Sequence, residues 1–294
     1  MRVFVLANPK AGSHEAKKCI QDIQKTYPQL DTRVYLTQGP DDEKHQVAAI
    51  LKEFTLQDRL LVLGGDGTLS KTLTAWPVQY PFAYFPTGSG NDFAKSMDIH
   101  QLDQVMEALV RDKKESIFVL HSSLGVIVNT LDIGFAAQVI AHATDSRLKD
   151  VLNTIKLGKL TYLLCAIRSL LSHQAFDLSL EVDGRRETIR NLFFFSIANN
   201  TYFGGGIMIW PEAQAGQKQL DLVYIEDAPA PLSQRILALL DLVFKRHHQS
   251  HRIKHVMGER LAIDLEEPFI LQLDGELSRA KSLTITCQER FIYQ

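Results

Sequence analysis

The sequence predicts an α/β domain with a parallel sheet over residues 1–120, followed by a mainly-β domain over 121–294. Three observations carry that reading. In the first third, short apolar runs alternate with helical segments, and each run ends in a Gly or Asn turn. Past about residue 115, β-branched and period-two runs take over. No linker rich in Gly, Ser or Pro separates the two regions, which predicts close packing with a cleft between them.

Residues 2–7 read as a buried strand ending in the turn Asn8-Pro9-Lys10-Ala11-Gly12-Ser13. Residues 13–27 have helical composition, 32–37 read as strand and 41–54 as helix. A buried strand at 59–63 runs into Gly64-Gly65-Asp66-Gly67, with helix at 69–75. Strand at 82–86 precedes helices at 91–97 and 102–111. Thereafter strands are expected at 116–121, 126–133, 177–182, 191–198, 220–225, 260–265, 269–273 and 282–286. Helical stretches at 150–173 and 231–246 interrupt them, and Asp183-Gly184 and Asp274-Gly275 are hairpin signals.

The composition, 45% hydrophobic and 22% charged over 294 residues, is ordinary for a globular protein. A net charge of -2 gives no reason to expect a nucleic-acid partner. Cys19, Cys165 and Cys287 are far apart and form no CxxC, which excludes a disulfide framework or a cysteine zinc site and fits a reducing compartment. The N-terminus reads as a first strand and not a signal peptide. The two longest apolar runs are interrupted by Arg168 and Asp241, so no membrane span is expected. These features predict a cytoplasmic protein that at most visits a membrane surface.

The chemistry concentrates in glycine turns. Gly64-Gly65-Asp66-Gly67-Thr68-Leu69 follows a buried strand and leads into a helix. Backbone N–H groups there can cradle phosphate oxygens, and Asp66 makes sense if a cation such as Mg²⁺ joins it to the phosphates. A tight turn with an Asx bond would also explain the residues. Asn8 to Gly12, and Pro86-Thr87-Gly88-Ser89-Gly90-Asn91-Asp92, stand at the equivalent strand ends, where a parallel sheet forms its crevice. Three such turns suit a nucleotide, yet neither GxxxxGK[ST] nor GxGxxG is present. In the second domain, Ala198-Asn199-Asn200-Thr201-Tyr202-Phe203-Gly204-Gly205-Gly206 admits either a wide turn or close approach of a ligand. Asp274-Gly275-Glu276 admits a hairpin turn or a general base with an orienting partner.

Taken in order, these motifs, with Asn129…Gly134-Phe135 and Pro211-x-Ala213, resemble the diacylglycerol kinase catalytic family. The chain is similar to its soluble bacterial lipid kinase branch, itself related to sphingosine and ceramide kinases. The resemblance covers nearly the whole length and implies a phosphofructokinase-like first domain and a β-sandwich second domain, with the C-terminal end free to pack back on the first. It implies an ATP-dependent kinase, Mg²⁺ accompanying the ATP, and a lipid acceptor met at the membrane surface, with diacylglycerol the default. Glu276 matches the family's general base, with Asp274 beside it and Asp66 as the acidic residue of the nucleotide loop. The nucleotide site would comprise Asn8, Pro9, Lys10, Ala11, Gly12, Thr37, Gly64, Gly65, Asp66, Gly67, Thr68, Leu69, Ser70, Ser89, Asn91 and Asp92.

Two departures stand out. The first loop has Lys10-Ala11-Gly12 where the family has Ser-Gly, and Ser89 replaces a threonine while keeping the hydroxyl. Gln217-Lys218 stands where bacterial members carry Asp-Gly, the Asp being the side-chain ligand of a structural Mg²⁺. Since Mg²⁺ prefers carboxylate oxygen, the expectation is that this metal is lost, with the Lys218 ammonium in its place. The basic cluster Lys245, Arg246, His247, His248, His251, Arg252, Lys254 and His255 reads as a solvated helix end or a contact for anionic lipid. The helix at 150–173 is expected to pack its apolar face on the β-domain, the alternative being a dip into a membrane interface. Rival readings are a kinase for another lipid alcohol (phosphatidylglycerol, a sphingoid base, an isoprenoid alcohol), an NAD kinase, and a non-catalytic nucleotide-binding protein. Pattern does not decide oligomeric state, and a homodimer is compatible with it.

Overall fold

A computed structural model describes residues 1–12, 15–145, 158–203, 207–227 and 231–294. The first domain runs β1 (Arg2–Ala7), α1 (Ala16–Thr26), β2 (Asp31–Leu36), α2 (Glu43–Leu51), β3 (Arg59–Gly64), α3 (Asp66–Ala75), β4 (Ala83–Pro86), α4 (Asp92–Ser96) and α5 (Leu102–Val110). Its four strands pair in parallel in the order β2-β1-β3-β4. Residues 3–7 and 60–63 are wholly buried, as expected where a parallel sheet is covered on both faces. The C-terminal ends of β1, β3 and β4 deliver the three predicted turns to one edge of this sheet. Helix α3 starts at Asp66, three residues before the expected position, because extended backbone at Gly65 lets Asp66 and Gly67 enter its first turn.

The second domain follows as β5 (Lys114–Ser122), β6 (Gly125–Ile127), β7 (Thr130–Gly134), α6 (Phe135–Asp145), α7 (Gly158–Ser172), β8 (Phe176–Val182) and β9 (Arg185–Ala198). It continues as β10 (Tyr202–Phe203), β11 (Ile207–Met208), β12 (Leu220–Glu226), α8 (Pro231–Val243), β13 (Lys254–Gly258), β14 (Arg260–Leu273) and β15 (Glu276–Tyr293). Nine of these strands form one antiparallel sheet in the order β13-β12-β9-β7-β14-β15-β5-β6, with β8 between β9 and β14. β7 and β8 lie end to end in that slot. Leu131, Ile133, Phe195, Ile197, Leu222 and Leu271 fill the core on one face. Phe135, Phe193, Phe194, Ala238 and Leu242 build a second core under α6 and α8.

Several expected elements differ in extent. The strand expected at 126–133 breaks at Val128 and Asn129, whose N–H groups turn toward Asp274. The runs at 260–265 and 269–273 form a single strand whose pairing register with β15 shifts between Asp264 and Phe269, where Pro268 has no N–H to offer. β15 extends far beyond the expected 282–286 because exposed Arg279, Lys281 and Glu289 hide its alternation. Helix α6 was not expected.

The apolar helices bury only part of their apolar surface. α7 turns Cys165 inward but leaves Leu164, Ile167 and Leu171 exposed, and α8 buries Ala238 and Leu242 while Ile236, Leu240 and Val243 face solvent. The 150–157 part of the expected helix lies outside the described residues. The basic cluster is not uniformly solvated either. His247 is buried, and Trp210 stacks on His255 at 3.6 Å with 10° between the rings. His255 in turn meets Asp221 at 2.7 Å.

The two domains are joined through β15. Phe82 donates its N–H to Phe291 O (3.0 Å), and Tyr293 donates to Phe82 O (2.8 Å), so the strand end pairs beside β4. Arg290, next to Phe291 and 2% exposed, donates to Trp76 O (3.0 Å) and Leu73 O (2.9 Å) at the C-terminus of α3. Burial lowers the guanidinium pKa to about 10, yet the helix-end carbonyls favour a cation at this position. Arg290→Met leaves both carbonyls unsatisfied and should cost about 2–3 kcal/mol. Urea unfolding checks this, and an unchanged midpoint would rule out the anchoring role.

Candidate functional site

Three turns converge because each is bonded to another. Asn8 donates its N–H to Leu63 O (2.9 Å) and its side-chain amide to Thr68 Oγ1 (3.2 Å), while its Oδ1 accepts the Lys10 N–H (3.0 Å). Ala11 donates to Asn8 O (3.2 Å), Thr87 to Gly64 O (2.8 Å), and Thr37, at the end of β2, to Ala7 O (2.9 Å). Gly12 has φ +52, and a Cβ there would lie 2.6 Å from Thr87 O. A Cβ on Gly88 would lie 2.6 Å from the Gly65 Cα. Only glycine allows the turns this close. Asn91, itself at φ 54, closes its own loop by accepting the Gly88 N–H (3.1 Å) and donating to Gly88 O (2.8 Å). Pro9 is half-buried between Asn8 and Lys10, and Lys10, Gly12 and Ser89 are exposed along the rim.

The N-terminus of α3 faces this gathering. Its first-turn N–H groups, on Asp66, Gly67 and Thr68, have no acceptor within the helix and form an anion site by geometry and dipole. Asp66 accepts the N–H groups of Asp92 (2.9 Å) and Phe93 (3.2 Å), so it also caps α4. Burial, and to a lesser degree the Asp92 charge, hold its carboxyl above the ordinary value; the Asp92 and Phe93 N–H groups and Asn129 act against this. Asp92 is buried and paired with Lys95 at 2.8 Å.

Two residues expected in the nucleotide site point elsewhere. Leu69 is wholly buried and its N–H bonds to Gly65 O (3.0 Å). Ser70 donates its hydroxyl to Val126 O (2.5 Å), tying α3 to β6. Helix periodicity places both on the face that packs against the protein.

From the second domain, the β14–β15 turn reaches across the cleft. Asp274 donates its N–H to Thr130 O (3.0 Å), and its carboxylate accepts N–H groups from Val128 (2.8 Å), Asn129 (2.8 Å) and Thr130 (3.1 Å). Burial raises its pKa to about 7, opposed by these three donors. With its acceptor sites so occupied, Asp274, expected among the catalytic groups, holds the turn in shape. Glu276 is exposed; its Oε1 lies 2.9 Å from Lys71 Nζ and would lie 3.8 Å from a Cβ on Gly67. Lys71 also meets Asp41 at 3.0 Å.

Neither Lys71 nor Asp41 was singled out in the sequence. The signal for Lys71 was available, since it follows Gly67 by one helical turn on the same face. The Asn199-Asn200 motif has a structural task. Asn199 donates to Phe118 O (3.0 Å) and Val128 O (3.1 Å), and Asn200 donates to Val128 O (3.0 Å) and Asn129 Oδ1 (2.6 Å). These bonds shape the segment that grips Asp274. Gly204, Gly205 and Gly206 lie outside the described residues.

The Gln217-Lys218 loop does not fit a hard dication. Gln217 bonds to Gln214 (3.3 Å), and the Lys218 ammonium sits 2.6 Å from Glu259. Among the described residues no group of three or more His, Cys, Asp or Glu side chains is placed to hold a metal.

Comparison with known proteins places this geometry in a family. Residues 2–121 match the diacylglycerol kinase catalytic domain, and residues 131–292 match the YegS C-terminal NAD kinase beta sandwich-like domain. YtlR of Bacillus subtilis (strain 168) is 24% identical over 93% of this chain and 93% of its own length. A protein of Mycobacterium tuberculosis (strain ATCC 25618 / H37Rv) named diacylglycerol kinase is 27% identical over 84% of this chain and 79% of its own. A crystal structure from Bacillus anthracis str. Sterne has the same fold, with a TM-score of 0.77, 21% identity and coverage of 99% and 97%. With three turns packed on one sheet edge, a β-sandwich behind them and both domain models matched in order, the chain belongs to the diacylglycerol kinase catalytic family, in its bacterial lipid kinase branch.

Proposed function

We propose that this protein transfers the γ-phosphate of ATP to a lipid hydroxyl, with diacylglycerol as the first acceptor to test and phosphatidic acid as its product. The observation that carries the reading is Glu276 lying against the first turn of α3, which brings a carboxylate and a phosphate cradle together. The nucleotide phosphates would lie on the first-turn N–H groups of α3 and the rim formed by residues 9–12 and 88–91. The acceptor oxygen bonds to the γ-phosphorus, the bond to the β,γ-bridging oxygen breaks, and Glu276 takes the hydroxyl proton. Lys71 keeps a cation beside the transferring group and can pass from Glu276 to a phosphate oxygen. Asp66 is the carboxylate of the cradle fit to meet Mg²⁺ carried by ATP, since a cation relieves the repulsion from Asp92. That ion supplies charge neutralisation across the phosphates. No role is assigned to a metal at Gln217-Lys218.

The lipid must be reached at a membrane. No helix among the described residues is long and apolar enough to cross one. The support for peripheral contact is the paired α7 and α8, which present Leu164, Ile167, Leu171, Leu240 and Val243 to solvent, with exposed Phe244 just past α8 and exposed Arg168, Lys245 and Arg246 beside them. Apolar side chains flanked by cations suit an anionic leaflet, and the reading places the protein on its cytoplasmic side.

Glu276→Ala should lower turnover by about 10²–10⁴-fold while calorimetry shows ATP binding retained. The assay is transfer from labelled ATP to a panel of lipid alcohols in mixed micelles, with NAD as a further acceptor. Near-normal activity in the variant refutes the base, and transfer to NAD alone replaces the lipid reading. Lys71→Met should cost about two orders of magnitude in turnover in the same assay. Leu240→Glu combined with Phe244→Glu should abolish cosedimentation with anionic vesicles while sparing turnover of a dispersed short-chain acceptor. Unchanged sedimentation discards the docking face.

A further inference from the structure

Asp132 is a buried carboxylic acid that the proposed chemistry does not use. It sits in β7, 0% exposed. Its Oδ2 accepts the Thr130 hydroxyl (3.0 Å) and the side-chain amide of Gln272, its partner in register on β14. Ser196, its partner in register on β9, lies close by, but neither its hydroxyl nor Asp132 Oδ1 completes a hydrogen bond of good geometry. None of these three neighbours carries a charge. From α6, which covers β7, the polar groups among the residues whose side chains are described are His142, bonded to Ser169, and Gln138, bonded to His173. A buried carboxylate with no cation is costly, and such a group calls for a reason.

The reason lies at the other end of the Gln272 side chain. Its Oε1 accepts the N–H of Gly275, the central residue of the Asp274–Glu276 turn. Asp274 and Gly275 both have positive φ (47° and 90°), so this turn needs outside bonds to hold one form. Thr130 serves the same turn, donating its N–H to the Asp274 carboxylate and its hydroxyl to Asp132. A primary amide has a direction. Ionised Asp132 accepts only, so it must face the amide nitrogen, which leaves the oxygen for Gly275. A protonated Asp132 can donate to that oxygen. It still keeps an acceptor oxygen, so it no longer dictates which way the amide faces, and the bond to the Gly275 N–H loses its fixed partner.

We propose that Asp132 is a positioning residue for the turn carrying Glu276, acting through the orientation of the Gln272 amide. Its ionised form holds the working turn and its protonated form loosens it. Burial raises the Asp132 pKa to about 7, against the pull of Ser196, Gln272 and Thr130, so both forms occur near neutrality. The folded state therefore binds this proton more tightly than the unfolded chain. Stability from this group is greatest in acid and is lost as pH rises through about 7. The form that positions Glu276 is thus the less stable one. Asp274, also raised to about 7, titrates in the same range, so the test must be a difference between variants.

The inference rests on the lipid-kinase reading only for its activity arm. Hydrogen exchange of a peptide spanning residues 272–278, corrected for intrinsic rates, is measured at about pH 6 and about pH 8. In the wild type, protection should fall by about tenfold toward the acid side, the size of one lost hydrogen bond. Asp132→Asn keeps an acceptor for Gln272 but cannot ionise, so the fall in protection toward acid should shrink to the part that Asp274 contributes, and the acid limb of kcat should shrink with it. Gln272→Met should lower protection at both pH values with the global unfolding midpoint retained. If Asp132→Asn leaves the pH dependence of exchange unchanged, the inference is overturned, whatever the activity. If no lipid is phosphorylated by the wild type but exchange behaves as stated, the inference stands and the substrate reading fails.

Discussion

The architecture depends on one strand. β15 starts at Glu276 in the cleft and ends at Tyr293 on the edge of the first sheet. Both of its ends return to α3: Glu276 meets Lys71, and Arg290 caps the C-terminal carbonyls of Leu73 and Trp76. An extended strand of this length would reach far past a ten-residue helix, so it must curve. The shifted register opposite Pro268 supplies a place for the bend. A strand held at both ends against α3 fixes the distance from Glu276 to the N-terminus of that helix without a rigid linker.

The four acidic residues expected at the site take different roles because their surroundings differ. Asp66 accepts two N–H groups from the start of α4, and Asp92 is paired with Lys95. Asp274 accepts three N–H groups. Glu276 has a single cation as partner and stays exposed. The three N–H groups on Asp274 make it a structural fastener, whereas the exposed Glu276, held by a flexible ammonium, can change partners. The neighbouring Asn199 and Asn200, buried beneath the turn, make the fastening possible by fixing residues 128–129.

The polar groups behind the turn extend the same principle inward. Thr130, Asp132 and Gln272 connect the β-sandwich interior to the backbone of Gly275. Such networks are expensive in a low-dielectric interior and select one arrangement only when every member is satisfied. Asp132 Oδ1 is the incomplete member. Its position links the protonation of a remote group to the shape of a turn at the surface.

The parallel sheet and the three turns gathered at its edge were legible in the sequence, because glycine directly after a buried apolar strand marks a turn that needs close backbone approach. The resemblance of the motifs in series also pointed to the family. The extent of β15 was not legible, since the exposed Arg279, Lys281 and Glu289 interrupt its alternation, and α6 was not foreseen. Nor could the sequence show that Asp274 is taken up by three backbone N–H groups, that Leu69 is buried or that Ser70 is bonded to Val126 O. Motif spacing names residue types near a site, but which side chains are already consumed by backbone donors is decided by contacts between distant segments. Lys71 and Glu276 are far apart in the chain, and the fold alone brings them to 2.9 Å.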